Sequence, residues 1–341
     1  PAAKRGDSYR VIGEAAAGRR FEGDLTSDTA VRIFTGAPVP AGTSAIIIQE
    51  NAIRAADRIE LSADPNAQSH IRPAGNDFKA GSCLTAPKRL NAADIALLAS
   101  MNIAQIPVYK RPTIALLSTG DELVMPGEQP GPDQILASNT YGLAALLNSH
   151  GAECRILPIA RDTSASLKAT FALAAGSDMV LTIGGASVGD HDLVAQVAAD
   201  IGIRQSFYKI AMRPGRPMAV GRIQKGQRSA VLFGLPGNPV AVMVTFLAFV
   251  KPALLKMMGC TAAPLPMLRA RTQEVLRKKP GRTEYQRGIV SRNAQGELQV
   301  ITTGNQGSGV LSSMVQANGL IVLSHQQGTA QLGDWVDVLV I

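Results

Sequence analysis

Apolar positions change their spacing several times along this chain. Over roughly the first 80 residues, short apolar runs such as 45–48 and 59–61 stand between glycine-bearing turns, a strand-like pattern. Residues 88–103 then read as a short helix, with Asn91 as cap and Ile95, Leu98 and Ala99 on one apolar face. From Arg111 the pattern alternates. Strands at 113–117, 154–159 and 178–183 are each followed by a helical period: Leu143, Leu146 and Leu147 in 139–149; Leu167, Phe171 and Ala174 after the cap Asp162-Thr163-Ser164; then Leu193, Val197 and Ile201. Strand–helix alternation of this kind predicts a parallel sheet covered on both faces. Two more strands, 218–220 and 230–233, lead into an almost wholly apolar helix from Pro239, which Pro252 is expected to bend or end. Beyond a proline-bearing linker at 261–266, five short strands (267–272, 285–290, 298–302, 320–323 and 335–341) predict a small all-β sandwich or barrel.

The expected architecture is therefore multidomain. A β-rich domain (1–85), a helical linker segment (86–110), a central doubly wound α/β domain (111–262) and a C-terminal β-barrel domain (263–341) follow in order. At 341 residues and 46% hydrophobic content the chain can bury real cores. Aromatics make up only 4%, which gives little support to stacking on nucleobases. The formal net charge of +8 suits an anionic ligand, but the basic residues are scattered and predict no nucleic-acid surface. Cys83, Cys154 and Cys260 are far apart and make no metal or disulfide pattern, which points to a reducing cytoplasm. The four histidines form no zinc pattern. No secretory segment is visible, and the longest uncharged apolar run, 239–250, is too short to span a bilayer, so no membrane association is expected. The sequence opens at Pro1 without a methionine, as a trimmed piece would.

Candidate chemistry gathers at the ends of the predicted strands. The strand at 178–183 stops at Gly184-Gly185, runs through Ser187 and Gly189, and meets Asp190 and Asp192 where a helix opens. Free backbone N–H groups at such a helix start suit a phosphate, and two carboxylates beside a phosphate call for a cation, with Mg²⁺ the natural choice. A plain glycine turn capped by Asp192 would look the same. The strand at 113–117 ends likewise in Ser118-Thr119-Gly120-Asp121-Glu122. Ligands of α/β sheets bind beyond the carboxyl ends of strands, so two acidic, glycine-bearing ends in one unit strengthen each other. Arg213-Pro214-Gly215-Arg216-Pro217 holds two guanidinium groups between prolines, a composition fit for an oxyanion or for an exposed turn. Gly234 to Pro239 repeats the strand, glycine turn, helix-start arrangement. Two rigid Gly/Pro loops, 35–40 and 71–77, lie in the β-rich part; the first could be a connector or hold Thr35 toward a ligand.

Seven stretches taken together resemble one family: 35–40 (TGAPVP), 75–81 (GNDFKAG), 118–123 (STGDEL), 184–192 (GGASVGDHD), 213–217 (RPGRP), 234–239 (GLPGNP) and 281–288 (GRTEYQRG). On these the chain is similar to the molybdopterin molybdenumtransferases, a family that includes the E domain of gephyrin. The resemblance spans the chain and implies a homodimer whose cleft lies between the α/β domain of one subunit and the β domains of the other. It implies an enzyme that takes adenylyl-molybdopterin and molybdate, hydrolyses the adenylyl group with Mg²⁺, inserts molybdenum and releases AMP. It implies roles as well. Asp121, Glu122, Asp190 and Asp192 hold or orient Mg²⁺ and its water, with Glu122, Asp190 and Asp192 as the metal-binding set. Gly184, Gly185, Ser187 and Gly189 cradle the terminal phosphate and pterin. Arg213, Arg216 and Pro217 line the molybdate pocket, with Asn238 and Pro239 nearby. Thr35, Asp77, Arg287 and Ser308 face the partner subunit's cleft. Transient contacts with the adenylyltransferase and with molybdoenzyme acceptors follow from the same resemblance. The family's S-x-M-D-G-Y-A stretch falls ahead of Pro1. Arg213 and Arg216 stand where lysines are common, and Ala241 where a serine is common. Rival expectations are an adenylyltransferase on the same central fold, which the flanking β domains disfavour, and a non-catalytic dimeric scaffold, which the intact acidic loops disfavour.

Overall fold

The computed structural model describes residues 3–65, 70–184, 197, 200, 202–225, 228–260 and 265–341. They fall into two compact units, Pro1–Thr85 and Ala86–Ile341. In the first unit, strands β1 (Ser8–Ala15), β2 (Thr29–Ile33), β3 (Ala52–Ala55) and β4 (Arg58–Leu61) form a sheet in the order β2-β1-β4-β3. β1 and β2 run parallel, and the other neighbours are antiparallel. The apolar run 45–48 joins no strand. It leads into a single turn of 3₁₀ helix, Gln49–Asn51, and leaves Ile48 exposed.

The second unit opens with α1 (Ala92–Ser100), shorter than the 88–103 expected. Asn91 and Asp94 exchange side chain-to-backbone hydrogen bonds of 2.9 Å each, and Lys88 reaches Asp94 at 2.7 Å, so the helix starts where a capping box can close. It stops where Asn102 turns to a positive φ of 60°.

The central sheet explains the alternation read in the sequence. Strands β5 (Thr113–Ser118), β8 (Glu153–Ile156), β9 (Met179–Ile183), β10 (Ile203–Tyr208), β12 (Ala219–Lys225) and β13 (Arg228–Leu235) lie in the order β10-β12-β13-β9-β5-β8. Two short strands, β6 (Leu123–Val124) and β7 (Ile135–Leu136), pair separately, as β11 (Met212–Arg213) does farther on. Side chains alternate between two cores. Ile114, Leu116, Met179, Leu181, Phe233 and Leu235 face one, with Leu143 and Leu147 of α2 (Ser138–Ser149). Ala115, Leu117, Val180 and Leu232 face the other, with Leu167 and Phe171 of α3 (Ser164–Leu173) and with Val197. Helices on both faces make this the doubly wound α/β architecture expected.

The sheet is mixed rather than wholly parallel. β8, β5, β9 and β13 are parallel, whereas β12 and β10 add antiparallel to the β13 edge. Only residues 226 and 227 separate β12 from β13, too few for a parallel crossover. The strand expected at 154–159 ends at Ile156, before Pro158, which has no N–H for the ladder.

Helix α4 (Pro239–Met257) runs through Pro252 instead of ending there. A π-helical turn at Phe246–Val250 precedes the proline and gives the backbone room around a residue that cannot donate. This continuous helix is longer than the twelve-residue apolar run suggests, and by length and composition it could cross a membrane. Half of it is buried inside the unit, however, with Val240, Val244, Phe246, Val250 and Leu254 inaccessible.

All five C-terminal strands form: β14 (Met267–Thr272), β15 (Thr283–Arg292), β16 (Leu298–Thr302), β17 (Gly319–Leu323) and β18 (Trp335–Val340). The order β15-β16-β14-β18-β17 closes through the β15–β17 pairing into a five-stranded barrel. Ala270, Val300, Ile321, Leu323, Val336 and Val338 fill it. Leu320 and Leu339 point outward into the same core as α4, so barrel and α/β domain share packing. A five-residue helix, α5 (Ser312–Gln316), lies before β17.

Phe246, fully buried at that shared core, gives a test. Phe246→Ala is expected to lower the stability of the second unit by about 3–5 kcal/mol. Trp335, the single tryptophan, reports the barrel by fluorescence in denaturant melts, and its midpoint should fall together with that of the far-UV signal. An unmoved Trp335 transition would contradict the shared core.

Candidate active site

The carboxyl ends of β5, β9 and β13 meet in a row. Thr119 N–H donates to Ile183 C=O at 3.0 Å and Gly184 N–H donates to Leu235 C=O at 3.2 Å, extending both ladders one residue past the strands. Gly184 has φ +86°, and a Cβ there would stand 2.8 Å from the Thr119 carbonyl oxygen and 3.2 Å from its hydroxyl. Only glycine permits that approach. A Cβ on Gly237 would lie 3.8 Å from the Gly184 Cα. The Thr119 hydroxyl is buried and finds no hydrogen-bond partner, an unmet group at the centre of the row.

Two helices point their starts at this edge. Neither α2 nor α4 has a side-chain cap. Ser118 and Thr140 share a 2.7 Å hydroxyl contact, and Asn139 Nδ2 donates to Gly237 C=O at 2.7 Å, which ties the start of α2 to the ends of β5 and β13. Pro239 fills the first turn of α4, where its missing N–H costs nothing. Helix starts without caps favour negative charge.

The acidic loop after β5 is held from behind. Gly120 has φ +145°, and the Glu122 carboxylate folds back toward its Cα. Arg161 Nη1 donates to the carbonyls of Asp121 and Leu123 at 3.0 Å and approaches that of Gly120 at 3.4 Å. Asp121 Oδ1 accepts the Asp162 N–H at 3.1 Å. Asp121 and Glu122 are both exposed, and among the described residues the Glu122 carboxylate takes no hydrogen bond or ion pair. A free, hard carboxylate oxygen suits Mg²⁺, which keeps several waters and takes only one or two carboxylates. No group of three or more His, Cys, Asp or Glu that could hold a metal occurs among the described residues.

The basic turn is wedged between helix and barrel. β11 pairs parallel with Thr283 and Glu284 of β15. Gly215, at φ +105°, packs on Thr245 of α4, where a Cβ would collide with the threonine methyl. The Ile210 and Met218 N–H groups donate to the Arg216 carbonyl at 3.0 and 3.1 Å. Arg216 is exposed, and Arg213 lies 3.7 Å from the buried Glu284 carboxylate while its own side chain stays 64% exposed. The turn sits seven residues along α4 from Asn238, about 10 Å.

Arg287 is the largest fully buried side chain among the described residues, 1% exposed, with Nε donating to Ser313 Oγ and Nη2 to the carbonyls of Asn305 and Gly307. Its guanidinium therefore lies beneath the 305–308 loop and shapes it, because a buried charge must satisfy its donors. Burial and then the nearby charge of Arg213 lower its pKa. The loop in turn touches α4: Val240 N–H donates to the Ser308 carbonyl at 3.0 Å.

Comparison with known proteins decides the lineage. Residues 2–102 match the family described as MoeA N-terminal region (domain I and II), residues 115–256 the probable molybdopterin binding domain, and residues 269–341 the MoeA C-terminal region (domain IV). A molybdopterin molybdenumtransferase of Haemophilus influenzae is 36% identical over 96% of this chain and 81% of its own length. The chain belongs to the molybdopterin molybdenumtransferase family. Another member, from Nostoc sp., is 35% identical over 98% of this chain and 77% of its own. The crystal structure of a molybdopterin biosynthesis moeA protein from Pyrococcus horikosii superposes with a TM-score of 0.75 at 28% identity, covering 98% of this chain and 81% of that one.

For a molybdopterin molybdenumtransferase, the anticipated residues divide as follows. Asp121, Glu122, Gly184, Asn238 and Pro239 lie at the carboxyl edge of the sheet. Arg213, Arg216 and Pro217 lie on the turn against α4, with Ser308 between that helix and the barrel. Thr35 and Asp77 are exposed on two loops of the first unit. Gly185, Ser187, Gly189, Asp190 and Asp192 lie outside the described residues, as do Leu193 and Ile201; Val197 is helical and buried. Sequence reasoning missed Thr119, Asn139, Arg161 and Glu284. Arg161 stands out only once the fold is known, because it follows the carboxyl end of β8, next to β5 in the sheet.

Gly184→Ala tests the close approach against Gly176→Ala, whose φ of +83° is similar but whose Cβ would meet open space. Both variants carry the left-handed cost of about 1–2 kcal/mol. Gly184→Ala should lose at least about 1 kcal/mol more in thermal unfolding, because the Thr119 backbone has to move. Equal losses would mean the strand ends are not in contact.

Proposed function

We propose that this chain inserts molybdenum from molybdate into adenylyl-molybdopterin, a Mg²⁺-dependent reaction that releases AMP and completes the molybdenum cofactor. The supporting observation is the single edge where three strand ends, a buried unpartnered hydroxyl and the uncapped start of α2 adjoin the free Glu122 carboxylate. Family membership supplies the class of reaction. The matches at 2–102 and 269–341 favour a molybdenumtransferase over a stand-alone adenylyltransferase.

In this reading the α/β domain at 111–262 binds the nucleotide-tagged pterin at its carboxyl edge. Gly184, Gly185, Ser187 and Gly189 let backbone N–H groups approach the terminal phosphate. Glu122, Asp190 and Asp192 hold Mg²⁺, which when bound neutralises charge developing on the phosphoanhydride. Asp121, fixed through Oδ1 to the Asp162 N–H, orients the attacking water with its other oxygen. Water adds across the phosphoanhydride and AMP leaves. Arg213, Arg216 and Pro217, with Asn238 and Pro239 nearby, hold the tetrahedral oxyanion; guanidinium groups match its oxygens in charge and geometry. Arg287 acts through the loop that carries Ser308. Thr35, Asp77, Arg287 and Ser308 serve the cleft of a second subunit in a homodimer. The three unpaired cysteines fit a cytoplasmic enzyme, and Cys154, its thiol pushed up to about 11 by burial, stays a neutral thiol.

Purified protein incubated with adenylyl-molybdopterin, Mg²⁺ and molybdate should release AMP, and chelation should stop it. Glu122→Gln should slow the release at least about 10-fold. Arg216→Ala should raise the molybdate concentration for half-maximal insertion while leaving AMP release in place. AMP release at the full rate by Glu122→Gln would overturn the metal assignment.

A further inference from the structure

We infer that Arg161 is the positioning residue of the acidic loop, a clamp that presets Glu122 for the cation and Asp121 for the attacking water. The inference rests on the proposed roles of those two carboxylates and deepens them. The backbone carbonyls from Gly120 to Val124 are all engaged. Leu123 N–H donates to Gly120 C=O at 3.4 Å, Ile135 N–H to Glu122 C=O at 2.8 Å and Ala137 N–H to Val124 C=O at 2.9 Å. The Asp121 and Leu123 carbonyls go to Arg161 Nη1 at 3.0 Å each, which uses both of its N–H bonds; the 3.4 Å approach to Gly120 is secondary.

Among the described residues no other side chain donates to these carbonyls. The clamp is itself anchored. Arg161 N–H donates to Ser166 Oγ at 3.0 Å, and the adjacent Asp162 N–H donates to Asp121 Oδ1. Gly120 N–H donates to Ala160 C=O at 3.1 Å, so the β8 end and the acidic loop are stitched residue by residue. Arg161 thus binds the loop through its main chain and leaves the Glu122 carboxylate unengaged. A fixed main chain under a free carboxylate is the arrangement that lowers the reorganisation needed when a cation arrives. A lysine could supply the charge but not two N–H bonds held in one fixed plane.

The test uses the full chain as wild type, Arg161→Ala and Arg161→Lys. Without metal, hydrogen–deuterium exchange should show the 119–124 segment losing protection in Arg161→Ala while the barrel strands keep theirs. With Mn²⁺ as the probe, binding followed by electron paramagnetic resonance should weaken at least about 10-fold in Arg161→Ala. The concentration of molybdate for half-maximal insertion should stay within about twofold, since the basic turn is untouched. Added guanidinium ion should restore Mn²⁺ affinity to Arg161→Ala, and Arg161→Lys should fall between it and the wild type. Unchanged exchange and Mn²⁺ affinity in folded Arg161→Ala would overturn the clamp. So would losses that spread to the barrel or that guanidinium does not repair. Absence of Mn²⁺ binding by the wild type would instead remove the metal reading on which the clamp rests.

Discussion

The structure depends on one backbone approach, that of Gly184 to Thr119. Parallel strands pair at fixed spacing, and a side chain at the end of β9 would push it from the end of β5. With glycine there, the ladder continues past the strands, and Thr119, Gly184 and the Leu235–Gly237 turn stand side by side. The starts of α2 and α4 are held to the same row by Asn139 and by the direct continuation of β13 into the helix. Charge follows from this geometry. The uncapped start of α2 makes the edge welcome to anions, and the exposed carboxylates beside it make a cation the natural bridge.

A second constraint sets the basic turn. Its two arginines are exposed, yet its backbone has little freedom. Gly215 is pressed on Thr245, β11 is paired to β15, and Glu284 faces Arg213 from within the barrel. The barrel does more than fill space. By lodging Arg287 beneath the 305–308 loop, it places Ser308 against the first turn of α4. The same helix therefore carries the carboxyl edge of the sheet at its start, the basic turn two turns later and the shared hydrophobic core below. Sites on one rigid element keep their separation, which an atom transfer between two bound ligands requires.

Much of the fold was legible because each element had its own punctuation. The five barrel strands are separated by Gly, Asn and Pro turns, and all five form. The alternation of Ile114 and Leu116 with Ala115 and Leu117 sorts cleanly onto two faces of the sheet. β10 was invisible because IRQSFY is an edge strand with too few apolar residues to mark it. The passage of α4 through Pro252 was illegible for another reason: a π-helical turn leaves no residue signature. At the candidate site, charged residues on exposed loops stand out in the sequence. Residues that act by holding a backbone do not. Arg161 looks like any surface arginine until its carbonyl partners come together from a different strand. Arg287 is likewise one arginine among many in the sequence, and only the closed barrel shows it buried, with Nε on the Ser313 hydroxyl and Nη2 on two carbonyls.

The most direct measurement of the central claim is a crystal structure of the protein with molybdopterin and molybdate bound. The account predicts the pterin phosphate within hydrogen-bonding reach of the row formed by Thr119, Gly184 and Gly237, and the oxyanion against the 213–217 turn. Density for the pterin at the opposite, amino-terminal edge of the central sheet, with that row bare, would contradict it.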